Sequence, residues 1–168
     1  ALTVAQIENI TALAKQKNNL FMEAMTVGFN PLYQEIKGII QSGKIGTVTH
    51  VESMFGRMSA KDHKHTPGQA GGCIYDIGIY NIFLILDLLG PVKKIQVQGR
   101  KHRTWDVIGT VQLLAEHQNG EQSYSYMTMD SISTSKATII GTEGTIEIGE
   151  GWTTPHEYKV SYRDGTVD

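Results

Sequence analysis

The most apolar stretch of the chain is residues 71–90, GGCIYDIGIYNIFLILDLLG. Glycines open it, Gly90 and Pro91 close it, and the residues between are apolar on nearly every face, which predicts one buried helix. Asp76 and Tyr80 are exceptions that lie one turn apart on the same helix face. Because a buried helix has no structural need of a carboxylate and a phenol in its first two turns, this pair is a candidate functional site.

Helical spacing also marks the first residues of the chain. Thr3 and Gln6 form a capping-box pattern, and apolar residues recur at helical intervals after it, which predicts a helix over residues 3–18. The apolar run at residues 20–25 predicts a short strand. A helix followed directly by a strand is typical of a parallel α/β unit.

A second helix is predicted to begin at Asn30 and Pro31, a cap followed by proline, and to stop at Gly43. Residues 47–55 then alternate as a strand does, with Val51 and Phe55 on one face and the more polar positions on the other. Six further strands are predicted from β-branched and aromatic residues, at residues 92–99, 107–116, 121–129, 135–140, 145–148 and 157–162.

Helices in the first half and hairpins in the second half predict an α+β fold. We expect an open, mainly antiparallel sheet with helices on one face, and tight turns at residues 119–120 and 141–144. The other face is expected to be too apolar for water alone, so a second copy should cover it. The apolar residues assigned to that face are Tyr124, Tyr126, Met127, Met129 and Ile139.

Composition narrows the function classes. The 168 residues suffice for one domain, or for one domain and a piece of another, and the net charge of −2 indicates no general attraction to nucleic acid or to an anionic membrane. No apolar run is long enough to span a membrane without a charge. The single Cys73 excludes an internal disulfide and favours a cytoplasmic location. The basic residues 100–103 (RKHR) are interpreted as a solvated strand end.

The residues alone leave the role of Tyr80 open. A phenol is a poor proton donor at neutral pH unless a cation or dipole stabilises the phenolate, and Asp76 alone would oppose that. A core tyrosine whose hydroxyl binds Asp76 is an equally good interpretation.

Other constellations are weaker. The motif KDHKH contains Asp62, His63 and His65, but no further ligand joins them, so we predict no metal site. The glycines do not follow the strand-to-helix order of a dinucleotide fingerprint, and no serine stands in a nucleophile-elbow pattern.

Residues 71–90 resemble the Gly-Gly, Asp, Gly-x-Tyr helix of the glucose-fructose oxidoreductase, inositol dehydrogenase and MocA family of NAD(P)-dependent oxidoreductases. Residues 1–25 are similar to the last helix and strand of that family's Rossmann domain, residues 29–53 to the start of its second domain, and residues 137–148 to its late hairpin. The resemblance covers nearly the whole chain, with the pieces in the family order.

The resemblance implies two parts. Residues 1–27 would be a remnant of a dinucleotide-binding domain, and residues 28–168 a substrate and oligomerisation domain without the family's C-terminal return helix. The glycine-rich nucleotide half and the family's Glu-Lys-Pro lysine would precede Ala1. The chain is therefore expected to be a fragment that is inactive alone and binds no cofactor, whereas the full-length enzyme would use NAD or NADP.

The resemblance also implies hydride transfer between nicotinamide and a secondary alcohol or carbonyl of a sugar, cyclitol or diol. Tyr80 would be the proton donor or its relay, and Asp76 would orient Tyr80 or a substrate hydroxyl. Thr26, Phe55 and Arg57 are expected to line the substrate pocket. The homo-oligomer, expected to be a dimer, would form through the outer sheet face.

Two features qualify this expectation. A tyrosine at position 80 resembles the dihydrodiol dehydrogenase and glucose-fructose oxidoreductase branch, and Gly28 stands where an arginine is common. The alternative function is a non-catalytic binding or assembly module derived from the same family.

Overall fold

The computed structural model describes residues 3–58 and 71–168. Its central feature is a seven-stranded sheet with the strand order β2-β3-β4-β1-β5-β6-β7. The strands are β1 Val48–Gly56, β2 Val92–Lys101, β3 Ile108–His117, β4 Gln122–Thr128, β5 Lys136–Gly141, β6 Gly144–Ile148 and β7 Tyr158–Tyr162.

One pair of strands in the sheet is parallel. β1 runs parallel to β4, and every other pair of neighbours is antiparallel. The parallel pairing brings the carboxyl ends of β1 and β4 to the same edge, with Gly56 opposite Thr128. The predicted open and mainly antiparallel α+β sheet is confirmed.

The helices lie before and between the first strands. They are α1 Val4–Gln16, α2 Pro31–Gln41 and α3 Ile79–Leu89, with a short 3₁₀ turn at Thr26–Phe29 and a π-helical turn at Ile74–Gly78. The predicted capping box is present, since the Thr3 hydroxyl accepts from Gln6 N and the Gln6 side chain accepts from Thr3 N. Asn30 caps α2 as predicted, by accepting from the backbone of Leu32 and Tyr33. No helix in the described part of the chain has the length and apolarity needed to cross a membrane.

The core lies between the sheet and α3. Val51, Met127 and Ile139 are fully buried on the helix-facing side, where Ile77 and Leu84 meet them. The assignment of Met127, Met129 and Ile139 to the outer face is therefore wrong. Side chains alternate along a strand, so Tyr124 and Tyr126 point away from Met127, and these two tyrosines are half-buried on the outer face.

Asp87, another polar residue of the apolar stretch, joins two helices. The Tyr33 hydroxyl donates to Asp87 Oδ2 at 2.8 Å, and Lys37 Nζ forms an ion pair with the same oxygen at 2.9 Å. Burial is the main reason that the pKa of Tyr33 is raised, and the hydrogen bond to Asp87 adds to it. Asp87 therefore holds α2 against α3, at the end of α3 opposite to Asp76.

Two predicted elements differ from the structure. Residues 20–25 form no strand, because a strand needs a hydrogen-bonded neighbour and none of the described strands lies beside them. The stretch 71–90 is neither uniformly α-helical nor fully buried. It begins as a π-helical turn, and Tyr75 and Leu86 are 52% and 43% exposed.

The interpretation of residues 100–103 as a solvated strand end holds for Arg100, Lys101 and Arg103, which are exposed at or just beyond the end of β2, but His102 is buried. Arg100 Nη2 and Arg103 Nε bind opposite oxygens of the buried Asp130 carboxylate, at 2.8 Å and 3.0 Å. The His102 ring stacks on Trp105 with the ring centroids 4.3 Å apart. Burial by itself would raise the pKa of Asp130, but hydrogen bonds from Arg103 and Arg100 outweigh it and lower the pKa.

Candidate active site

The candidate site lies where β1 leaves the sheet beside the beginning of α3. Arg57 N donates to Thr128 O at 3.0 Å, so β4 fixes the backbone one residue beyond β1. Phe55 belongs to the face of β1 that carries the buried Val51 and Ser53, which is the face that α3 covers. The inward-facing side chains at the end of β1 therefore point toward the turn that precedes α3.

The glycines of the apolar stretch allow this close approach. A Cβ atom on Gly78 would lie 2.4 Å from the Met127 sulfur, so only glycine lets the helix pack this closely on β4. Gly72 has a φ of +103°, in the region that favours glycine, and its carbonyl accepts from Asp76 N at 3.4 Å. A π-helical turn then widens the spiral, and such turns are frequent at functional sites.

Asp76 is joined to Arg57. Arg57 Nη2 lies 3.1 Å from one carboxylate oxygen of Asp76 and 3.4 Å from the other. The Asp76 side chain is only 11% exposed, whereas Arg57 is 51% exposed. The ion pair therefore compensates the charge of a largely buried carboxylate and leaves part of the guanidinium open to solvent.

Tyr80 packs on Phe55. The two ring centroids are 5.6 Å apart and the ring planes meet at 85°, an edge-to-face contact. Within residues 3–58 and 71–168 the Tyr80 hydroxyl makes no hydrogen bond. The hydrogen bond to Asp76 that the core interpretation of Tyr80 included is not formed, and the Tyr80 ring packs against the core cluster.

Thr26 stands apart from these four side chains. It begins the 3₁₀ turn and is exposed, while the next residue, Val27, is fully buried. None of the hydrogen bonds or ring contacts between described residues joins Thr26 to the other four. The structure thus brings together four of the five side chains predicted for the site.

A buried polar chain runs beneath the site. Asn81 Nδ2 donates to Ser53 Oγ at 2.8 Å, and Ser53 Oγ lies 3.0 Å from Ser125 Oγ. All three residues are fully buried. The sequence carried a signal for this contact, since Ser53 and Asn81 are the polar residues on otherwise apolar inward faces.

Trp152 is the neighbour that the sequence did not reveal. It is fully buried, its Nε1–H donates to Met54 O at 2.9 Å, and its ring lies 6.3 Å from that of Phe55. Trp152 lies in a turn segment nearly 100 residues after β1, and no local sequence pattern around it predicts a contact with β1.

No metal centre is apparent in the part of the chain that the structure describes, where no three His, Cys, Asp or Glu residues are grouped to hold an ion. Asp62, His63 and His65 of the KDHKH motif lie outside the described residues. Burial raises the pKa of the Cys73 thiol to about 12, so this thiol stays protonated at neutral pH and is a poor nucleophile.

Comparison with known proteins gives a consistent result. A family model described as the GFO/IDH/MocA C-terminal domain matches residues 33–147. Trans-1,2-dihydrobenzene-1,2-diol dehydrogenase from Bos taurus is 26% identical over 162 residues, which cover 95% of this chain and 48% of that protein. The chain thus spans about half the length of the curated relatives it matches.

Solved structures share the fold. An aldose-aldose oxidoreductase from Caulobacter crescentus, complexed with glycerol, has a TM-score of 0.87 at 20% identity, over 99% of this chain and 52% of that chain. A 3-ketoreductase from Actinomadura kijaniata, in complex with NADP and TDP-benzene, has a TM-score of 0.83 at 20% identity, over 98% of this chain and 52% of that chain.

Proposed function

This chain belongs to the family of GFO/IDH/MocA C-terminal domains, and on that premise we propose that it is the substrate domain of an NAD(P)-dependent oxidoreductase. The reaction is hydride transfer to or from a secondary alcohol or carbonyl of a sugar, cyclitol or diol. The observation that carries the proposal is a half-buried Tyr80 hydroxyl without a hydrogen bond to any described residue, next to a carboxylate that Arg57 neutralises.

Tyr80 is proposed to move the proton of the reaction. A bound nicotinamide cofactor supplies or accepts the hydride at the substrate carbon. The matching proton passes between the substrate oxygen and the Tyr80 hydroxyl, so that a carbonyl gains one hydride and one proton to become an alcohol. This chain does not contain the Glu-Lys-Pro lysine of the resembled family, which would supply a positive charge beside the phenol.

Asp76 is proposed to orient Tyr80 or the reacting hydroxyl. A carboxylate near a phenol opposes loss of the phenolic proton, which was the objection that the sequence raised. Arg57 answers this objection because its guanidinium lies 3.1 Å from Asp76 and offsets the negative charge. The pair can therefore accept a hydrogen bond without disfavouring the phenolate.

Three residues are proposed to contact the substrate. The ring of Phe55 supplies an apolar wall beside Tyr80. Arg57 has N–H donors beyond those that bind Asp76, and these suit substrate hydroxyl or carbonyl oxygens. Thr26 offers an exposed hydroxyl from the 3₁₀ turn and would reach the substrate from a separate side.

Residues 1–27 are proposed to belong to a dinucleotide-binding domain, and residues 28–168 to the substrate domain. Support comes from α1, which has no buried residue although it carries an apolar stripe. An apolar groove also opens beside α3, and the residues of the substrate domain that line it include Phe29, Ile79, Ile82, Phe83 and Leu86. We assign no residue of this chain to the pyrophosphate, because the chain has no dinucleotide fingerprint. The chain alone is therefore expected to be inactive.

We propose a cytoplasmic location, because the lone Cys73 is buried and forms no disulfide. We also propose a homo-oligomer that forms through the outer sheet face. The part of the outer face formed by β2, β3 and β4 carries a group of uncharged side chains that suit a flat contact between copies. They are Gln96, Gln98, Gln112, Leu114, Tyr124 and Tyr126.

An assay of the full-length protein tests the proposed function. Purified protein is mixed with a panel of sugars, cyclitols and diols, and the absorbance of NADH and NADPH is followed in both directions. Turnover of one substrate class with either cofactor supports the oxidoreductase. Tight binding of the same compounds without turnover would instead favour the non-catalytic module.

A further inference from the structure

Trp152 lies in the segment between β6 and β7 and has a double contact with β1. Its indole Nε1–H donates to Met54 O at 2.9 Å, and its ring meets the ring of Phe55 at 75° with the centroids 6.3 Å apart. The fully buried Trp152 side chain therefore holds the backbone of Met54 and the side chain of Phe55. These residues come immediately before Gly56, where β1 ends at the candidate site.

Phe55 also contacts Tyr80. Its ring makes an edge-to-face contact with Trp152, at 6.3 Å, and another with Tyr80, at 5.6 Å. The three rings form a continuous series from the buried interior to the half-buried site, and we name them the aromatic series. Edge-to-face pairs have a preferred geometry, so a shift of one ring is transmitted to the next.

The orientation of Tyr80 depends on this packing. Its hydroxyl makes no hydrogen bond within the described residues, so no polar contact among them fixes the ring. Phe55 is itself only partly buried, and the Trp152 ring that it contacts is fully buried. The position of Phe55 therefore depends on its contact with Trp152.

The segment that carries Trp152 is anchored at both ends. Gly151 N donates to Ser135 O at 3.0 Å, just before β5. Pro155 O accepts from the side chain of Asn30 at 3.3 Å, at the start of α2. Trp152 is thus held against the sheet by contacts on either side of it.

We propose that Trp152 is a positioning residue, which fixes the ring of Tyr80 through Phe55. The inference rests on the proposed role of Tyr80 in proton transfer. A tryptophan that only filled the core would affect stability but would not affect the orientation of Tyr80. The two roles therefore differ in a measurable way.

The test uses the full-length protein labelled with 3-fluorotyrosine, in which the ¹⁹F resonance of position 80 is identified by its loss in Tyr80→Phe. In Trp152→Leu we expect the Tyr80 resonance to shift and broaden, and turnover to fall about tenfold with the KM for the cofactor within about twofold of wild type. Trp152→Phe keeps an aromatic edge and should restore the resonance and most of the turnover. If Trp152→Leu does not fold, Trp152→Met takes its place.

Two further variants separate positioning from stability. Val160→Ala removes buried volume from β7, three strands away from β1, and should lower the melting temperature without moving the Tyr80 resonance. In a Phe55→Leu background the series is already broken, so adding Trp152→Leu should change turnover and resonance little further. An equal effect of Trp152→Leu in both backgrounds would overturn the inference, and so would an unmoved resonance.

The outcome for the proposed function is read separately. Wild-type turnover in Tyr80→Phe would remove the proton-transfer role, while the ¹⁹F resonance would still report whether Trp152 positions the ring. Loss of turnover in Tyr80→Phe together with an unchanged resonance in Trp152→Leu would keep the proposed function and refute the positioning role.

Discussion

The guanidinium of Arg57 lies 3.1 Å from the carboxylate of Asp76 and so joins the end of β1 to the π-helical turn before α3. The two residues are 19 positions apart, and the contact decides how the charge of Asp76 acts on its surroundings. The pair places a positive charge against a largely buried carboxylate, one turn before Tyr80.

Removal of the Arg57 charge should therefore impair catalysis. In the full-length enzyme we expect Arg57→Met to lower turnover about tenfold or more, because the positive charge that binds and orients the Asp76 carboxylate is lost. Arg57→Lys keeps the positive charge and should retain more of the activity. Steady-state kinetics with a saturating cofactor measures both. Equal turnover in the Met and Lys variants would contradict the charge argument.

Tyr80→Phe removes the hydroxyl that is the proposed proton donor and keeps the aromatic ring. Since the hydroxyl makes no hydrogen bond to a described residue, its loss should leave folding intact, while turnover of the full-length enzyme falls about a hundredfold. Cofactor affinity, measured by fluorescence titration, should be nearly unchanged. Tyr75→Phe is the matched control, because Tyr75 lies in the π-helical turn just before α3 and is exposed. A wild-type rate in Tyr80→Phe would remove Tyr80 from the proton transfer.

The parts of the fold with local causes were predictable from the sequence. The capping box at Thr3, the cap at Asn30 and the alternation in each strand depend on residues close together in the chain, so their signals stand in short windows. The strand predicted at residues 20–25 was wrong, because a strand also depends on a hydrogen-bonded neighbour, which a local pattern does not reveal. The π-helical turn has no comparable local signal.

The candidate site was predictable only in part. Asp76 and Tyr80 stood out because both interrupt an apolar helix. Phe55 and Arg57 were expected at the pocket from the resemblance, but their pairing with Tyr80 and Asp76 joins distant parts of the chain and has no local signal. The same holds for the contact of Trp152 with Phe55. The face of β4 was misassigned for a different reason. Alternation is a local rule, and it places the neighbouring Tyr126 and Met127 on opposite faces of the sheet.

Gly78 should be intolerant of any side chain. Gly78→Ala places a Cβ 2.4 Å from the sulfur of the fully buried Met127, so we expect it to destabilise the protein by about 1–2 kcal/mol. Gly38→Ala is the matched control. No atom lies within 4 Å of its added Cβ in α2, and it should stabilise by about 0.5–1 kcal/mol. Urea denaturation measures both. A neutral Gly78→Ala would show that the close approach is not required.

The Asp130 carboxylate should make stability depend on pH. Hydrogen bonds from Arg103 and Arg100 hold its pKa below the ordinary value despite burial. A carboxyl with a lowered folded-state pKa contributes stability at a pH above its unfolded pKa of about 3.9, and this contribution is lost as the pH falls through the folded pKa. Asp130→Asn should therefore destabilise the protein most near pH 7, and the difference from wild type should shrink below about pH 4. Urea denaturation at several pH values measures it, with the exposed ion-paired Asp106→Asn as control. A difference that stays constant down to pH 3 would show that the ionised carboxylate is not the stabilising form.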